Sequence, residues 1–214
     1  MVLLERAGER WWLATAHWAR ALSYLLLGHF DEALDSATWA RTIAEKLRDP
    51  RLASQVAWIS GWIHATRGDW ATGIEAARRA LELAPDEMSR AVAEGFLGTC
   101  YVEKGDTDAA LPLLGRAAGT LGRLRLRQLE GFFTILQGLA HALRGDPERA
   151  ATLAAHGLEI VRGINFGPAI VEARVVESLV ARARRDFPAA ARALDDALEL
   201  AERIGARSSW RPTR

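Results

Sequence analysis

A short turn recurs along this chain at an almost constant interval. Its five copies begin at Gly28, Gly68, Gly105, Gly145 and Arg185, so that successive copies lie 40, 37, 40 and 40 residues apart. A fixed period of this length is typical of stacked-repeat proteins, in which each unit buries its apolar face only against its neighbours. The turn therefore predicts a linear array of similar units.

The segments between the turns have helical spacing of apolar residues and little β-branched sequence,. Within the turn, glycine can end one helix in the left-handed conformation, and the aspartate that usually follows can cap the next. The spacing predicts five helix pairs: 11–27 with 30–47, 51–67 with 70–83, 87–104 with 107–121, 126–144 with 147–162, and 168–184 with 187–204. We therefore expect an all-α fold and a single repeat domain over 1–214, with units at about 11–47, 51–83, 87–121, 126–162 and 168–204.

Composition excludes several classes of function. The formal net charge of +1 gives no electrostatic reason to expect a nucleic acid partner,. A single cysteine, Cys100, falls in a helical pattern and is expected to be buried and inert,. No segment has the apolar length of a signal peptide or a membrane span, so a cytoplasmic protein without a membrane partner is expected.

The sequence contains no constellation that would support catalysis or bind a cofactor. It has no nucleophile elbow, phosphate-binding loop or zinc-protease motif,. The histidines are scattered, and His64 and His141 occupy equivalent repeat positions where packing is expected rather than metal binding. We therefore expect a protein that is not an enzyme and carries no cofactor or metal.

The second unit resembles the tetratricopeptide repeat. With Ser54 as position 1, the small residue at position 8 is Gly61, the aromatic at position 17 is Trp70, and Ala80 and Pro85 stand at positions 27 and 32. The resemblance implies a right-handed superhelix of antiparallel helix pairs, with Trp70 in the core. The usual period is 34 residues, and the longer one here is similar to arrays attached to bacterial signalling proteins. Because residues 5–10 resemble 202–207, we also expect the chain to be part of a longer protein.

In this family the first helix of each pair lines a concave groove. The resemblance places ten candidate partner-binding residues there, most of them apolar or aromatic: Trp18, Leu22, Gln55, Trp58, Trp62, Thr99, Glu103, Phe132, Ile135 and Leu139. Glu172 and Arg182 would add polar contacts. An exposed apolar groove usually marks an interaction surface. The alternative is that a tightly wound superhelix buries the same residues against its own neighbours, and the sequence leaves both open.

The function expected from this groove is a non-catalytic scaffold that binds a protein segment or another copy of the chain. Trp39, on a second helix, could support such self-association. The alternative is a sensor of a small ligand such as a saccharide, in which Trp18, Trp58 and Trp62 stack on the sugar rings. Trp11 and Trp12 open the first helix, where they could either cap the array or form an exposed contact.

Overall fold

The computed structural model describes residues 9–164 and 166–205, and this part of the chain forms ten α-helices and no strand. The helices are α1 (Arg10–Leu27), α2 (Phe30–Leu47), α3 (Pro50–Arg67), α4 (Trp70–Leu83), α5 (Glu87–Lys104), α6 (Thr107–Arg123), α7 (Arg127–Leu143), α8 (Pro147–Val161), α9 (Gly167–Ala183) and α10 (Phe187–Arg203). Every predicted helix is present, with ends within two residues of those expected. Of the two similar end segments, residues 5–8 and 206–207 lie outside the described residues.

The recurring turn acts as the sequence predicts. Its glycines adopt positive φ angles between 76° and 101° at the end of each first helix. The aspartates that follow cap α4, α6, α8 and α10 by accepting a hydrogen bond from the backbone N–H three residues later. In the first turn His29 replaces the aspartate and makes no such bond. In the fifth turn Arg185 takes the left-handed conformation with φ 62°, which is unfavourable for a residue with a side chain,.

Small residues bring the two helices of each unit into close contact. In the second unit, a Cβ atom added to Gly61 would lie 2.8 Å from the carbonyl oxygen of Gly73, and one added to Gly73 would lie 2.8 Å from the carbonyl of Gly61. In the fifth unit the Ser178 hydroxyl instead donates a hydrogen bond to the Ala190 carbonyl at 2.9 Å. Small residues therefore set the spacing between the two helices in both of these units.

An ion pair recurs between consecutive units. An acid at the second residue of a second helix binds an arginine at or just beyond the end of the next first helix, at N–O distances of 2.8–3.1 Å. The three pairs are Asp31–Arg67, Asp108–Arg144 and Glu148–Arg184. Between the second and third units the acid is replaced by Ala71, and there Arg78 donates to the Tyr101 hydroxyl at 2.7 Å.

One extra helical turn in every first helix contributes to the longer period, and the rest of the variation comes from second helices of 14 to 18 residues and from the connections. The helices α1, α3, α5, α7 and α9 each begin four residues before the first tetratricopeptide position, as α3 does at Pro50 relative to Ser54. These helices are 17 or 18 residues long. The additional residues lie at the N-terminal end of every first helix, so they extend the concave face.

The fifth unit curves back towards the first. A Cβ atom placed on Gly205 would lie 2.9 Å from Leu27 Cδ2, at the end of α1. Beside it, Ile204 packs on Gly167 at the start of α9, with Cδ1 at 2.9 Å from the position of a Cβ there. The first helices therefore surround a hollow.

No helix among the described residues is both long and apolar enough to cross a membrane.

The expectation that Trp70 lies in the core is wrong. Its side chain is 44% exposed, and Phe187 at the equivalent position is also exposed. Both are the first residue of a second helix, next to the turn, and their side chains are open to solvent there. Cys100 is buried as expected, with its thiol 3.8 Å from the Gly73 carbonyl oxygen, and burial raises the pKa of that thiol.

A candidate aromatic cavity on the concave face

A cavity of about 320 Å³ opens on the concave face between the first helices. Its lining comes from α1, α3, α5 and α7, the residue that precedes α7, and the residue that precedes α9. The lining residues, here called the aromatic cavity, are Trp18, Leu22, Ser54, Gln55, Trp58, Trp62, Met88, Ser89, Val92, Phe96, Leu126, Gln128, Leu129, Phe132 and Phe166. The cavity thus draws on the first four units and on the connection between the fourth and the fifth.

The first part of the lining is a packed pair of aromatic rings with a third ring against it. Trp58 lies face to face with Phe96 of the next unit, with ring centroids 3.9 Å apart and an interplanar angle of 2°. Trp18 of the preceding unit meets Trp58 edge-on, with centroids 5.6 Å apart. Because these contacts cover Trp58, it is only 6% exposed and contributes more to packing between units than to an open surface.

The second part of the lining continues the same chain of rings. Trp62 lies between Phe96 and Phe132, with centroid separations of 5.0 and 5.8 Å. Phe132 in turn meets Phe166 edge-on at 5.6 Å. Trp62, Trp18 and Phe166 keep partial solvent contact. Aromatic side chains with this arrangement offer large contact areas with few rotatable bonds, which is the composition typical of binding hot spots.

The structure brings six of the ten candidate residues together in this cavity: Trp18, Leu22, Gln55, Trp58, Trp62 and Phe132. Thr99, Ile135 and Leu139 are buried and do not line it. Ile135 packs instead on α8, where its Cγ1 would lie 2.5 Å from a Cβ atom on Gly157. The Thr99 hydroxyl donates to the Gly95 carbonyl within its own helix at 2.9 Å. Glu103 is exposed, in the last turn of α5.

Several lining residues were missed by reasoning from tetratricopeptide positions. Met88, Gln128 and Leu129 lie in the extra turn, before the first repeat position, and Phe166 precedes that turn. The only hint of these residues in the sequence was the longer period, which indicates that each unit contains additional helical or loop residues. Phe96 lies between two groove positions, and only the structure reveals that it faces Trp58.

The polar groups at the concave face are few. The Ser54 hydroxyl donates to the Ala80 carbonyl at 2.8 Å, so it is already satisfied. Gln55 and Gln128 line the cavity with partial or full solvent contact. Among the described residues, no hydrogen-bond partner is found for two buried atoms, Trp18 Nε1 and Thr66 Oγ1. Thr66 occupies the same repeat position as Glu103.

Two carboxyl groups outside the cavity lining, those of Glu103 and Glu172, lie close enough to influence each other. Glu172 lies near the start of α9, and its carboxyl is enclosed by protein although the residue keeps partial solvent contact. Burial, together with the nearby charge of Glu103, raises the pKa of Glu172 to about 8,. Glu172 is therefore mostly protonated near pH 7, and a cation that approached both groups would favour its ionised form, so this side of the hollow suits a basic group better than an acidic one,.

The histidines and the outer aromatic residues lie away from this cavity. His64 and His141 each place Nδ1 3.4 Å from the aspartate of the following turn, and no cluster of metal-binding side chains occurs in residues 9–164 and 166–205. Burial lowers the pKa of His141. On the first unit, Trp39 is 59% exposed and its ring is stacked on His17 at 5.9 Å. Trp11 is exposed too, and its indole N–H donates to Asp49 at 3.1 Å.

Solved structures with the same arrangement of helix pairs identify the fold. A kinesin light chain-type protein of nearly identical TPR-like repeats from Podosopora anserina matches with a TM-score of 0.59 at 16% identity, over 91% of this chain and 95% of that one. The chain has the fold of a tetratricopeptide repeat array. No family model and no curated protein matches it.

Two further structures match this repeat array over most of its length. The Rap protein complexed with Competence and Sporulation Factor matches with a TM-score of 0.73 at 16% identity, over 88% of this chain and 54% of that one. Aspartyl phosphate phosphatase F from Bacillus subtilis matches with a TM-score of 0.65 at 12% identity, over 95% of this chain and 55% of that one. The array therefore spans about half the length of each of these two proteins.

Proposed function

We propose that this repeat array is a non-catalytic scaffold that binds a protein segment in its aromatic cavity. The observation that carries the proposal is a chain of aromatic rings from successive units around an apolar cavity that keeps partial solvent contact. Apolar, aromatic-rich surfaces of this kind are typical of interaction sites. The likeness in fold to a Rap protein crystallised with Competence and Sporulation Factor supports a binding role.

The size and charge of the hollow define the chemistry of the bound segment. At about 320 Å³ the cavity is at the lower end of the range for ligand pockets, so it accommodates one or two bulky side chains rather than a whole helix,. Glu103 and Glu172 favour a basic residue near that side chain,. The partner is therefore a segment with an aromatic or large aliphatic residue flanked by arginine or lysine.

We further propose that the array serves as the regulatory part of a larger bacterial signalling protein in the cytoplasm, as its long period suggests. Self-association remains a second mode of interaction, and exposed Trp39 on α2 is the residue that supports it. The saccharide alternative receives less support. A sugar stacks on the open face of an aromatic ring, whereas Phe96 covers one face of Trp58, Trp18 packs against it at a steep angle, and Trp58 is only 6% exposed.

A displayed library of short peptides tests the proposal without knowledge of the natural partner. Selected peptides are measured by fluorescence anisotropy against the intact chain and against Leu22→Gln and Met88→Gln, two substitutions in the cavity lining at partly exposed side chains. We expect selected peptides to be rich in aromatic and basic residues, and each substitution to weaken binding about tenfold or more, which corresponds to about 1.4 kcal/mol.

The matched control is Trp70→Gln, which changes an exposed apolar residue outside the cavity. Its binding should equal that of the unmodified chain, and circular dichroism should show all three variants to be folded. Binding that is insensitive to both cavity substitutions, or that is lost equally in Trp70→Gln, would contradict a role for the cavity.

A further inference from the structure

The chain leaves its last helix beside the aromatic cavity. Ile204 packs on Gly167, which directly follows the lining residue Phe166. Gly205 contacts Leu27, on the same helix as the lining residues Trp18 and Leu22. The last described residue, Gly205, therefore lies at the rim of the hollow, between the start of α9 and the end of α1.

The residues that follow have the chemistry that the cavity favours. Residues 206–214, here called the Trp210 segment, read Ala-Arg-Ser-Ser-Trp-Arg-Pro-Thr-Arg. The segment has one large aromatic residue, three arginines and no acid. This is the aromatic and basic composition inferred above for a bound segment, and it occurs next to the cavity in the same chain.

We propose that the Trp210 segment occupies the aromatic cavity of its own chain, with the Trp210 indole among the cavity rings and its arginines facing Glu103 and Glu172. This inference rests on the proposed function of the cavity. The reach of the segment is sufficient, because five extended residues beyond Gly205 span up to about 17 Å, whereas the lining residue Leu22 is only about 7.5 Å along α1 from Leu27, which Gly205 contacts,. An arginine provides several N–H donors for carboxylates, so the segment satisfies both the apolar and the acidic parts of the hollow.

Such an intramolecular occupant makes the cavity self-inhibited. A tethered segment acts at an effective concentration on the order of millimolar, so a separate partner must compete with it. The array would therefore bind its partner weakly until the Trp210 segment is displaced, modified or bound elsewhere. Binding and release of this segment would be the step at which the scaffold is regulated.

A paramagnetic label on the intact chain locates the segment directly. A nitroxide is attached to Ser209→Cys, and the buried Cys100 stays unlabelled because its thiol is inaccessible. We expect strong broadening of the indole N–H signals of Trp18 and Trp62, and little broadening of those of Trp39 and Trp70. Adding Trp210→Ala to the labelled chain should abolish the difference. Equal broadening of all four indoles, or none, would overturn the proposal.

A competition experiment separates this proposal from the proposed function. A labelled synthetic peptide of residues 206–214 is titrated into the full chain and into its Trp210→Ala variant, with a peptide carrying the same Trp210→Ala change as control. We expect the peptide to bind the variant at least tenfold more tightly than the full chain, and the control peptide to bind neither. Equal binding of library peptides to both chains would overturn self-occupancy but leave the binding function intact. If no peptide of either kind binds the cavity, both proposals fail.

Discussion

The indole of Trp58 lies parallel to the ring of Phe96, 3.9 Å away and in the adjacent unit. The sequence marks Trp58 as a residue for partner contact, yet this stacking makes it part of the joint between the second and third units. The same side chain therefore has both a structural role and a place in the cavity wall, and the two effects must be measured separately.

Replacing Trp58 with alanine should strongly destabilise the array. Removal of a buried tryptophan from a packed core costs about 3–5 kcal/mol, since both transfer energy and packing around the resulting void are lost. Trp39→Ala, which removes an exposed indole, should cost less than about 1 kcal/mol,. Urea unfolding followed by circular dichroism measures both. Similar losses in the two variants would contradict a packing role for Trp58.

Replacing Gly95 with alanine should destabilise the joint between the third and fourth units. The added Cβ would lie 2.2 Å from the Phe133 ring, which is fully buried and cannot move aside freely. Overpacking of this kind costs about 1–3 kcal/mol. The matched change Gly119→Ala has no atom within 4 Å of the new Cβ and should stabilise α6 by up to about 1 kcal/mol,. In thermal unfolding, Gly95→Ala should lower the melting temperature and Gly119→Ala should raise it. A change in the same direction for both variants would contradict the predicted overpacking at Gly95.

Replacing Arg185 with glycine should stabilise the fifth unit. Arg185 holds a left-handed conformation with φ 62° that glycine adopts without a steric penalty,. We expect a gain of about 1 kcal/mol in the free energy of unfolding. The converse change, Gly145→Arg at the equivalent turn with φ 87°, should lose a similar amount. A destabilised Arg185→Gly variant would show that the arginine side chain contributes more than its backbone conformation costs.

Glu172 should make the stability of the array fall as pH rises. Its pKa is about 8 in the folded chain and 4.5 in a model peptide, so between these values unfolding releases a proton and becomes easier as pH increases,. Glu172→Gln remains neutral throughout. Its stability relative to the unmodified chain should therefore increase between pH 5 and pH 8, by roughly 1–2 kcal/mol once partial solvent contact is allowed for.

Glu103→Gln is the matched variant for this pH experiment. It removes the neighbouring charge that helps to raise the pKa of Glu172, so it should reduce the pH dependence in part. Urea unfolding at several pH values measures all three chains. A stability difference between Glu172→Gln and the unmodified chain that does not change with pH would contradict the burial of this carboxyl group.

Most of the fold follows from the sequence because its signals are local. Glycine at the end of a helix, an aspartate cap and small residues at fixed positions each act within one unit, and they predict all ten helices to within two residues of the observed ends. The prediction failed for Trp70, which is exposed. Whether the neighbouring unit covers that side chain depends on the angle between units, which no local pattern determines.

The cavity is less predictable for the same reason. Trp18, Leu22 and Trp62 could be assigned to the concave face by position alone, whereas Ile135 faces α8 and Phe96 completes the stack with Trp58. The superhelix is curved enough to bury some groove positions and leave others open. Residues before the first repeat position contribute to the site because the first helices are longer than those of the standard repeat.

The extra turn at the start of each first helix has a different role from the positions where the helices pack closely. Positions such as Gly61 and Gly73 fix how closely the helices approach, and a change there disturbs the array. Met88, Gln128 and Leu129 lie in the added turn, where they border the cavity without contributing to that close approach. Mutations in the added turn can therefore alter which partner is accepted at little cost to folding. Longer-period repeats thus provide a place where specificity can diverge between related arrays while their architecture is conserved.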